Sequence, residues 1–216
     1  MSTTWNVLRR TSAAALAICA LALAVAAQEE RHHEQNQPVF SISDVRIKNF
    51  GRMDDRFFRG AEPKDATDFQ ALKALGINTV IDLQAEAEPT ERGMVESMGM
   101  RYVHIPMISK KYPTEEAVAS FMKTVDDPET GKFYVHCAGG RHRTGAMGAV
   151  YRFTKYGWNY DQVYREMKQF DFYTAWGHGG FKKFVEDYWQ RVQSGQVPVQ
   201  TGAAAAPAAA TSQQQK

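Results

Sequence analysis

The chain has 216 residues, enough for one domain of ordinary size with segments left over at its ends. Its formal net charge of +2 is too small to indicate nucleic acid or an anionic membrane as the partner. With only two cysteines, Cys19 and Cys137, the chain cannot be a disulfide-rich scaffold.

The first 27 residues have the pattern of a signal peptide. Arg9 and Arg10 form a positive start, an apolar run follows from Ala13 to Ala27, and small residues at 24–27 offer a cleavage site. The arginine pair also fits a twin-arginine signal. The run is short and alanine-rich for a membrane span, and an uncleaved anchor is the alternative. We therefore expect an exported protein, periplasmic or secreted.

The remaining chain divides by composition. Residues 28–38 are polar and predict a linker, and residues 39–193 predict the folded domain. Residues 194–216 are rich in Ala, Pro and Gln without apolar periodicity, which is typical of a disordered tail. Once the signal is removed Cys137 is the sole cysteine, so no intramolecular disulfide can form. Such a cysteine is either buried and inert or kept for its reactivity.

Hydrophobic periodicity and capping residues predict alternating strands and helices within the domain. In chain order these are strands at 45–49 and 56–59, a helix at 65–75 ended by Gly76, a strand at 78–83, a helix at 89–98 ended by Gly99, a strand at 102–105, a helix capped by Thr114, a strand at 132–136, a helix at 144–156 ended by Gly157, a helix capped by Asn159 and a last helix across 181–192. The alternation predicts an α/β fold with a central, mostly parallel sheet flanked by helices.

The segment from His136 to Gly145 carries the chemistry. It reads His-Cys-Ala-Gly-Gly-Arg-His-Arg-Thr-Gly and lies between a predicted strand and a predicted helix. A helix N-terminus offers unpaired N–H groups and a dipole that favour an anion, and glycines let successive amides face one point. The predicted phosphate-binding residues are Ala138, Gly139, Gly140, Arg141, His142 and Arg143.

The same positive field acts on Cys137. A helix N-terminus and neighbouring cations lower a cysteine pKa, so this cysteine is expected to be a thiolate that attacks phosphorus. Arg143 is expected to bind two phosphate oxygens, Thr144 to hydrogen-bond the sulfur, and His136 to brace the loop backbone. The structural alternative, a buried cysteine beside a basic turn, needs five fixed positions to coincide by chance.

At these residues the chain resembles the cysteine-dependent protein tyrosine and dual-specificity phosphatases, most closely the atypical plant and fungal group that includes inositol-pyrophosphate phosphatases. Weaker likeness extends over Asn49-Phe50-Gly51, Phe58-Arg59-Gly60, the 75–83 stretch and Glu166 to Phe170. The resemblance implies Cys137 as nucleophile, Arg143 as phosphate clamp and Thr144 as partner of the leaving thiolate, with no metal or other cofactor. An arsenate-reductase relay would need further cysteines.

One departure from that family is the general acid. These phosphatases usually carry an aspartate about thirty residues before the cysteine, which protonates the leaving oxygen. Residues 104–113 hold neither Asp nor Glu. The acid is therefore unassigned, with Asp82, Asp171, Glu115 and His142 as the candidates.

Three functions follow from these observations. The first is hydrolysis of phosphate monoesters on protein tyrosine, or on serine and threonine. The second is hydrolysis of inositol polyphosphates or pyrophosphates, which Lys110 and Lys111 at a basic mouth would suit and whose anhydride needs little protonation. The third is a phosphate-binding pseudophosphatase with weak turnover.

Overall fold

A computed structural model describes residues 41–200 of the chain. The predicted signal peptide (1–27), the linker (28–38) and most of the predicted tail lie outside the described residues. Within 41–200 no helix combines the length and the apolar character that a membrane crossing requires.

A five-stranded sheet forms the centre of the domain, in the order β1-β2-β5-β3-β4. The strands are β1 Gly51–Arg52, β2 Phe57–Ala61, β3 Thr79–Asp82, β4 Arg101–His104 and β5 Phe133–Cys137. The short β1 pairs antiparallel with β2, and the other four strands are parallel. The prediction of a mostly parallel sheet is confirmed, and β5 occupies its middle.

Helices cover both faces of this sheet. They are α1 Ala66–Ala74, α2 Pro89–Ser97, α3 Glu115–Asp126, α4 His142–Tyr156, α5 Tyr160–Gln169 and α6 Gly179–Gln193. Because side chains alternate along a strand, β5 contributes to two separate cores. Val135 packs with residues of α3, α4, α5 and α6, whereas Tyr134 packs with residues of α1 and α2 on the opposite face.

Local sequence signals placed most of these boundaries correctly. Thr114 and Asn159 cap α3 and α5 through their side chains, as predicted. Gly157 ends α4 in the left-handed conformation, with φ of 61°. Each of these signals acts within a few residues of chain, which is why the sequence alone reveals them.

Two sequence-based predictions were wrong in position. Residues 45–49 form no strand; the chain turns there, with the Phe50 amide donating to the Ile47 carbonyl, and pairing with the sheet starts only at Gly51.

The start of the predicted C-terminal tail, Ser194, is the second wrong position, because the residues that follow it still contact the domain. The Gln200 amide donates to the Thr154 carbonyl at 2.7 Å, and two valines of the 194–200 segment pack on the core.

Candidate active site

The central strand delivers Cys137 to the base of a loop. β5 ends at this cysteine, residues 138–141 form the loop, and α4 begins at His142. The first amides of α4 have no partner inside their helix and face the loop. Gly140 has φ of 66°, a conformation that only glycine adopts without strain. The predicted strand, loop and helix therefore exist, with α4 starting two residues earlier than expected.

Cys137 is buried, with 3% of its surface exposed. Burial raises the pKa of its thiol. The Arg143 guanidinium lowers this pKa, and so do the Thr144 hydroxyl and the backbone amides of Thr144 and Gly139. The lowering effects are the larger, so the pKa of Cys137 lies below its usual value. The Thr144 hydroxyl is buried, has no hydrogen-bond partner of ordinary geometry, and is among the groups that lower the pKa of Cys137. Thiolate formation at this position is thus favoured by the groups that the sequence indicated.

Arg143 is anchored from the neighbouring strands. Its Nη1 donates to the Leu83 carbonyl at 3.3 Å and to the Met107 carbonyl at 3.2 Å, and these residues follow β3 and β4. The side chain is 9% exposed. A guanidinium held in this way keeps its position beside the thiolate and can bind an anion with its other nitrogens.

Two side chains from distant segments hold the outer side of the loop. The Asn49 amide donates to the carbonyls of Gly139 (3.4 Å), Gly140 (3.1 Å) and Phe170 (2.9 Å). Arg59, 1% exposed, donates from Nη2 to the Gly140 carbonyl at 2.9 Å, and its guanidinium lies 4.0 Å from the centre of the Phe170 ring. With these carbonyls tied outward, loop amides are left to face the thiolate side.

The prediction that His136 braces the loop was wrong. His136 points to the opposite face of the sheet from Cys137, because successive side chains of a strand alternate. Its Nε2 lies 2.8 Å from Glu91 Oε1, and its Nδ1 lies 3.9 Å from Asp82 Oδ1. Burial lowers the pKa of His136, but Glu91 outweighs it and leaves that pKa raised. Asn49 and Arg59 brace the loop instead.

This buried trio is the one group of His, Cys, Asp and Glu side chains in the described part of the chain that could converge on a cation. Groups outside the trio already bind one of its members, Asp82. Asp82 accepts hydrogen bonds from the Tyr102 hydroxyl and the Gln84 amide, both at 2.8 Å, and Glu91 faces His136. The trio is buried on the face of the sheet opposite Cys137 and lies away from the phosphate loop.

The structure separates the four candidates for the general acid. Asp82 is fully buried on the wrong face of the sheet. Glu115 is bound to Arg191, which lies about 18 Å along α6 from the end that reaches the site. His142 places Nε2 2.9 Å from the Tyr173 carbonyl, and burial lowers its pKa to about 4. Asp171 alone stays beside the loop, 3.5 Å from Arg141.

Two loops meet at the mouth of the site. One follows β4 and carries Lys110; the other, residues 173–178, precedes α6 and places His178 against His142, with parallel rings 3.7 Å apart. Space at Gly177 is limited by the Lys110 side chain. Three large hydrophobic residues are exposed on these loops, Ile108 at 64%, Tyr112 at 43% and Trp176 at 82%.

Backbone conformation marks the same region. Within residues 41–200, the non-glycine residues with positive φ are Asn49, Lys110, Asp171 and Trp176. Each of them belongs to a segment that contacts the phosphate loop or borders its mouth. Such conformations persist only where the surrounding structure enforces them, and they concentrate at functional sites.

Several residues of the site were not identified from the sequence. Asn49 and Arg59 lay in stretches noted only for family likeness, while Glu91 and His178 carried no signal at all. The glycines that follow them, in Asn49-Phe50-Gly51 and Arg59-Gly60, could have indicated a turn or a close approach of the backbone. Their partners lie 81 or more residues away, beyond the range of any local pattern.

Comparison with known proteins agrees with this geometry. The profile of the family described as "DSP-PTPase phosphatase fused to NAD+ Kinase" matches residues 36–179. The Dictyostelium discoideum protein named "Probable tyrosine-protein phosphatase DG1060" is 28% identical over 129 residues, which cover 56% of this chain and 75% of that protein. Inositol diphosphatase DSP4 of Arabidopsis thaliana is 27% identical over 128 residues, covering 56% and 63% of the two chains.

A solved structure shares the fold. The core catalytic domain of the PP-IP phosphatase SIW14 from S. cerevisiae superposes with a TM-score of 0.55 at 19% identity, covering 71% of this chain and 96% of the other. The profile match extends over more than half of the sequence and includes the whole segment from the first strand to the start of α6. The chain therefore belongs to the DSP-PTPase family of cysteine-dependent phosphatases and is a phosphoric monoester hydrolase.

Proposed function

We propose that this chain hydrolyses phosphotyrosine in proteins through a phosphocysteine at Cys137. The observation that carries the proposal is the buried thiol whose pKa is lowered, against the effect of burial, by the Arg143 guanidinium and by the Thr144 and Gly139 donors. In the first step the Cys137 sulfur attacks phosphorus and the bond to the leaving oxygen breaks. Water then attacks phosphorus, the phosphorus–sulfur bond breaks and the thiolate returns.

Arg143 stabilises the transferring group in both steps. Its guanidinium lies beside the sulfur and matches the charge that spreads over the phosphoryl oxygens in the transition state. The Thr144 hydroxyl, which lowers the pKa of Cys137, stabilises the thiolate when it departs in the second step. Neither step of this mechanism uses a metal ion.

The absence of a carboxylate between residues 104 and 113 supports tyrosine as the phosphorylated side chain. A phenol has a pKa of about 10, so a phenolate leaves far more readily than the alkoxide of serine or threonine. The exposed Ile108 and Trp176 on the two mouth loops offer apolar surface to a tyrosine ring and its neighbouring residues. A relative of the chain is also named as a tyrosine phosphatase.

The nucleophile is tested with a generic aryl phosphate. We expect Cys137→Ser to abolish turnover while retaining phosphate binding, and Thr144→Ala to slow the second step so that phosphoenzyme accumulates. Vanadate and thiol alkylation should inhibit the wild-type protein, and a metal chelator should not. Equal activity of wild type and Cys137→Ser would contradict the assignment, and phosphate binding without any wild-type turnover would identify a pseudophosphatase.

An inositol polyphosphate or pyrophosphate is the second candidate substrate. Lys110 and Lys111 lie on the loop after β4, and Arg141, paired with Asp171, lies in the phosphate loop; this concentration of cations suits a multiply charged substrate, and an anhydride leaves without a strong acid. Another relative is named as an inositol diphosphatase. The test compares kcat/KM on a phosphotyrosyl peptide and on an inositol pyrophosphate, in wild type and in Lys110→Gln/Lys111→Gln. A preference for the inositol compound that the double variant removes would favour this candidate.

Export is also proposed, from the composition of residues 1–27. Arg9 and Arg10, the apolar run and the small residues at 24–27 support a cleaved signal. Expression of the full chain in a bacterial host, followed by fractionation and N-terminal sequencing, should give a periplasmic protein that begins near Gln28. A cytoplasmic product that retains Met1 would contradict export.

A further inference from the structure

The reaction lacks an assigned proton donor, and one buried histidine at the mouth has no other task. His178 is the residue immediately before α6, and its ring stacks on that of His142 at 3.7 Å with 9° between the planes. It is 8% exposed, and its Nδ1 is buried without a hydrogen-bond partner. A buried polar atom left unpaired in this way is destabilising, and a bound ligand can supply the missing hydrogen bond.

The surroundings of His178 connect it to the phosphate site. Positive charges face it from two elements, Lys110 on the loop after β4 and Arg143 on α4. The other aromatic neighbours are Tyr173, whose ring meets it edge-on at 5.2 Å, and Phe181 at 6.3 Å. His142, stacked on its face, is itself faced by Arg141 and Arg143. Within residues 41–200, no carboxylate is among the groups that shift the pKa of His178.

We propose that His178 is the general acid and base of the reaction. The proposal rests on the proposed function, because it supplies the proton that the Cys137 mechanism requires. As Cys137 attacks phosphorus, the protonated imidazole gives its proton to the oxygen of the leaving group while the phosphorus–oxygen bond breaks. In the second step the neutral ring takes a proton from the attacking water, and the phosphorus–sulfur bond breaks. The ring ends protonated, as it began.

The charge balance at the mouth explains when the ring is protonated. Burial, Lys110 and Arg143 lower the pKa of His178 in the free enzyme. A phosphate dianion bound to Arg143 cancels one of these positive charges and adds negative charge, so the proton enters with the substrate. His142 does not take this role, because its Nε2 is bound to the Tyr173 carbonyl.

The test is a series of aryl phosphates with leaving groups of different basicity. A phenolate leaving group departs faster when it is protonated, whereas the less basic nitrophenolate gains little from protonation. We expect His178→Asn to lower kcat/KM about 10²-fold or more for phenyl phosphate and much less for nitrophenyl phosphate. The alkaline decline of kcat on phenyl phosphate should disappear in the variant. His178→Gln provides a second substitution, and His104→Asn, a histidine bound to the Gln84 carbonyl, is the matched control.

The outcomes are distinct. An equal loss on every leaving group would assign His178 a structural role and overturn the proposal. So would a leaving-group-dependent loss in Asp171→Asn with none in the His178 variants, because the acid would then be Asp171. Absence of wild-type turnover on all aryl phosphates would contradict the proposed function itself, and this inference with it. Melting temperatures of each variant separate misfolding from lost chemistry.

Discussion

The carbonyl oxygens of Gly139 and Gly140 determine which way the phosphate loop faces, and two side chains outside the motif hold them. Asn49 binds both carbonyls, and Arg59 binds the second from the buried side. Burial lowers the pKa of Arg59 to about 10, which still leaves it charged at neutral pH. A charged donor to a carbonyl is stronger than a neutral one, so the loop is held firmly before any substrate arrives.

Replacement of Asn49 by alanine should therefore impair catalysis as well as stability. We expect kcat/KM to fall about 10²-fold, because the amides and Arg143 would no longer hold the phosphate in line with the sulfur. The free energy of unfolding should fall by about 1–3 kcal/mol.

Asn78→Ala is the matched control, since the Asn78 side chain accepts a hydrogen bond from the Lys132 amide at the opposite end of the sheet. It should lose stability without a comparable loss of kcat/KM. If both variants lost activity equally, the positioning role of Asn49 would be refuted. Steady-state kinetics and urea denaturation measure the two quantities.

At the scale of elements, the phosphate loop joins β5 to α4 and packs against the end of β2. Gly140 packs directly against the backbone of Gly60, where an added Cβ would lie 2.3 Å from the carbonyl carbon. The left-handed conformation at Gly140 and this contact are both needed for the loop to close over the end of β2. The segment thus depends on a strand almost eighty residues earlier in the chain.

Gly140→Ala should accordingly disrupt the site. The methyl group would collide with backbone that cannot move aside, and the residue would adopt an unfavourable φ, so we expect a loss of about 2–4 kcal/mol in unfolding free energy and of vanadate binding.

Gly93→Ala is the contrasting substitution. Gly93 lies inside α2, and an added Cβ there would meet no atom within 4 Å. That variant should gain about 0.5–1 kcal/mol, as expected when alanine replaces glycine in a helix. Denaturant unfolding and calorimetric vanadate titration check both variants. Unchanged vanadate binding in Gly140→Ala would show that the close approach is not required.

At the scale of the whole molecule, the two faces of the sheet have different tasks. The face that carries Cys137 holds the large core of α3 to α6 and the reacting groups, whereas the face that carries His136 holds a buried ionic cluster and α1 and α2. Residues after α6 complete the first of these cores, because Val197 and Val199 pack against it.

Truncation tests where the domain ends. A chain ending at Gln193 should be less stable than one ending at Gln200 by about 1–3 kcal/mol, since it loses the burial of Val197 and Val199 and the hydrogen bond to the Thr154 carbonyl. A chain ending at Gln200 should match the full-length protein. Thermal and urea unfolding measure the stability of the three proteins. If the chain ending at Gln193 were as stable as the other two, the folded domain would end at residue 193.

Sequence reasoning reached the fold class and the reacting centre because their signals are local. Cys137, Arg143 and Thr144 lie within eight residues, between a strand and a helix whose own patterns are clear, and the caps Thr114 and Asn159 act within a single turn. The chemistry of a thiolate beneath a phosphate loop follows from this spacing. This inference needs only the strand, loop and helix of the segment and does not depend on the rest of the domain.

Only the tertiary structure decided which residues support that centre. Asn49, Arg59, Glu91 and His178 come from segments far from the motif in sequence, and hydrophobic periodicity carries no information about which of them will meet. The partner of His136 likewise depended on packing, which placed Glu91 of α2 beside it. The physical reason is that long-range contacts are fixed by how helices pack on the sheet, a property of the whole chain rather than of any stretch of it.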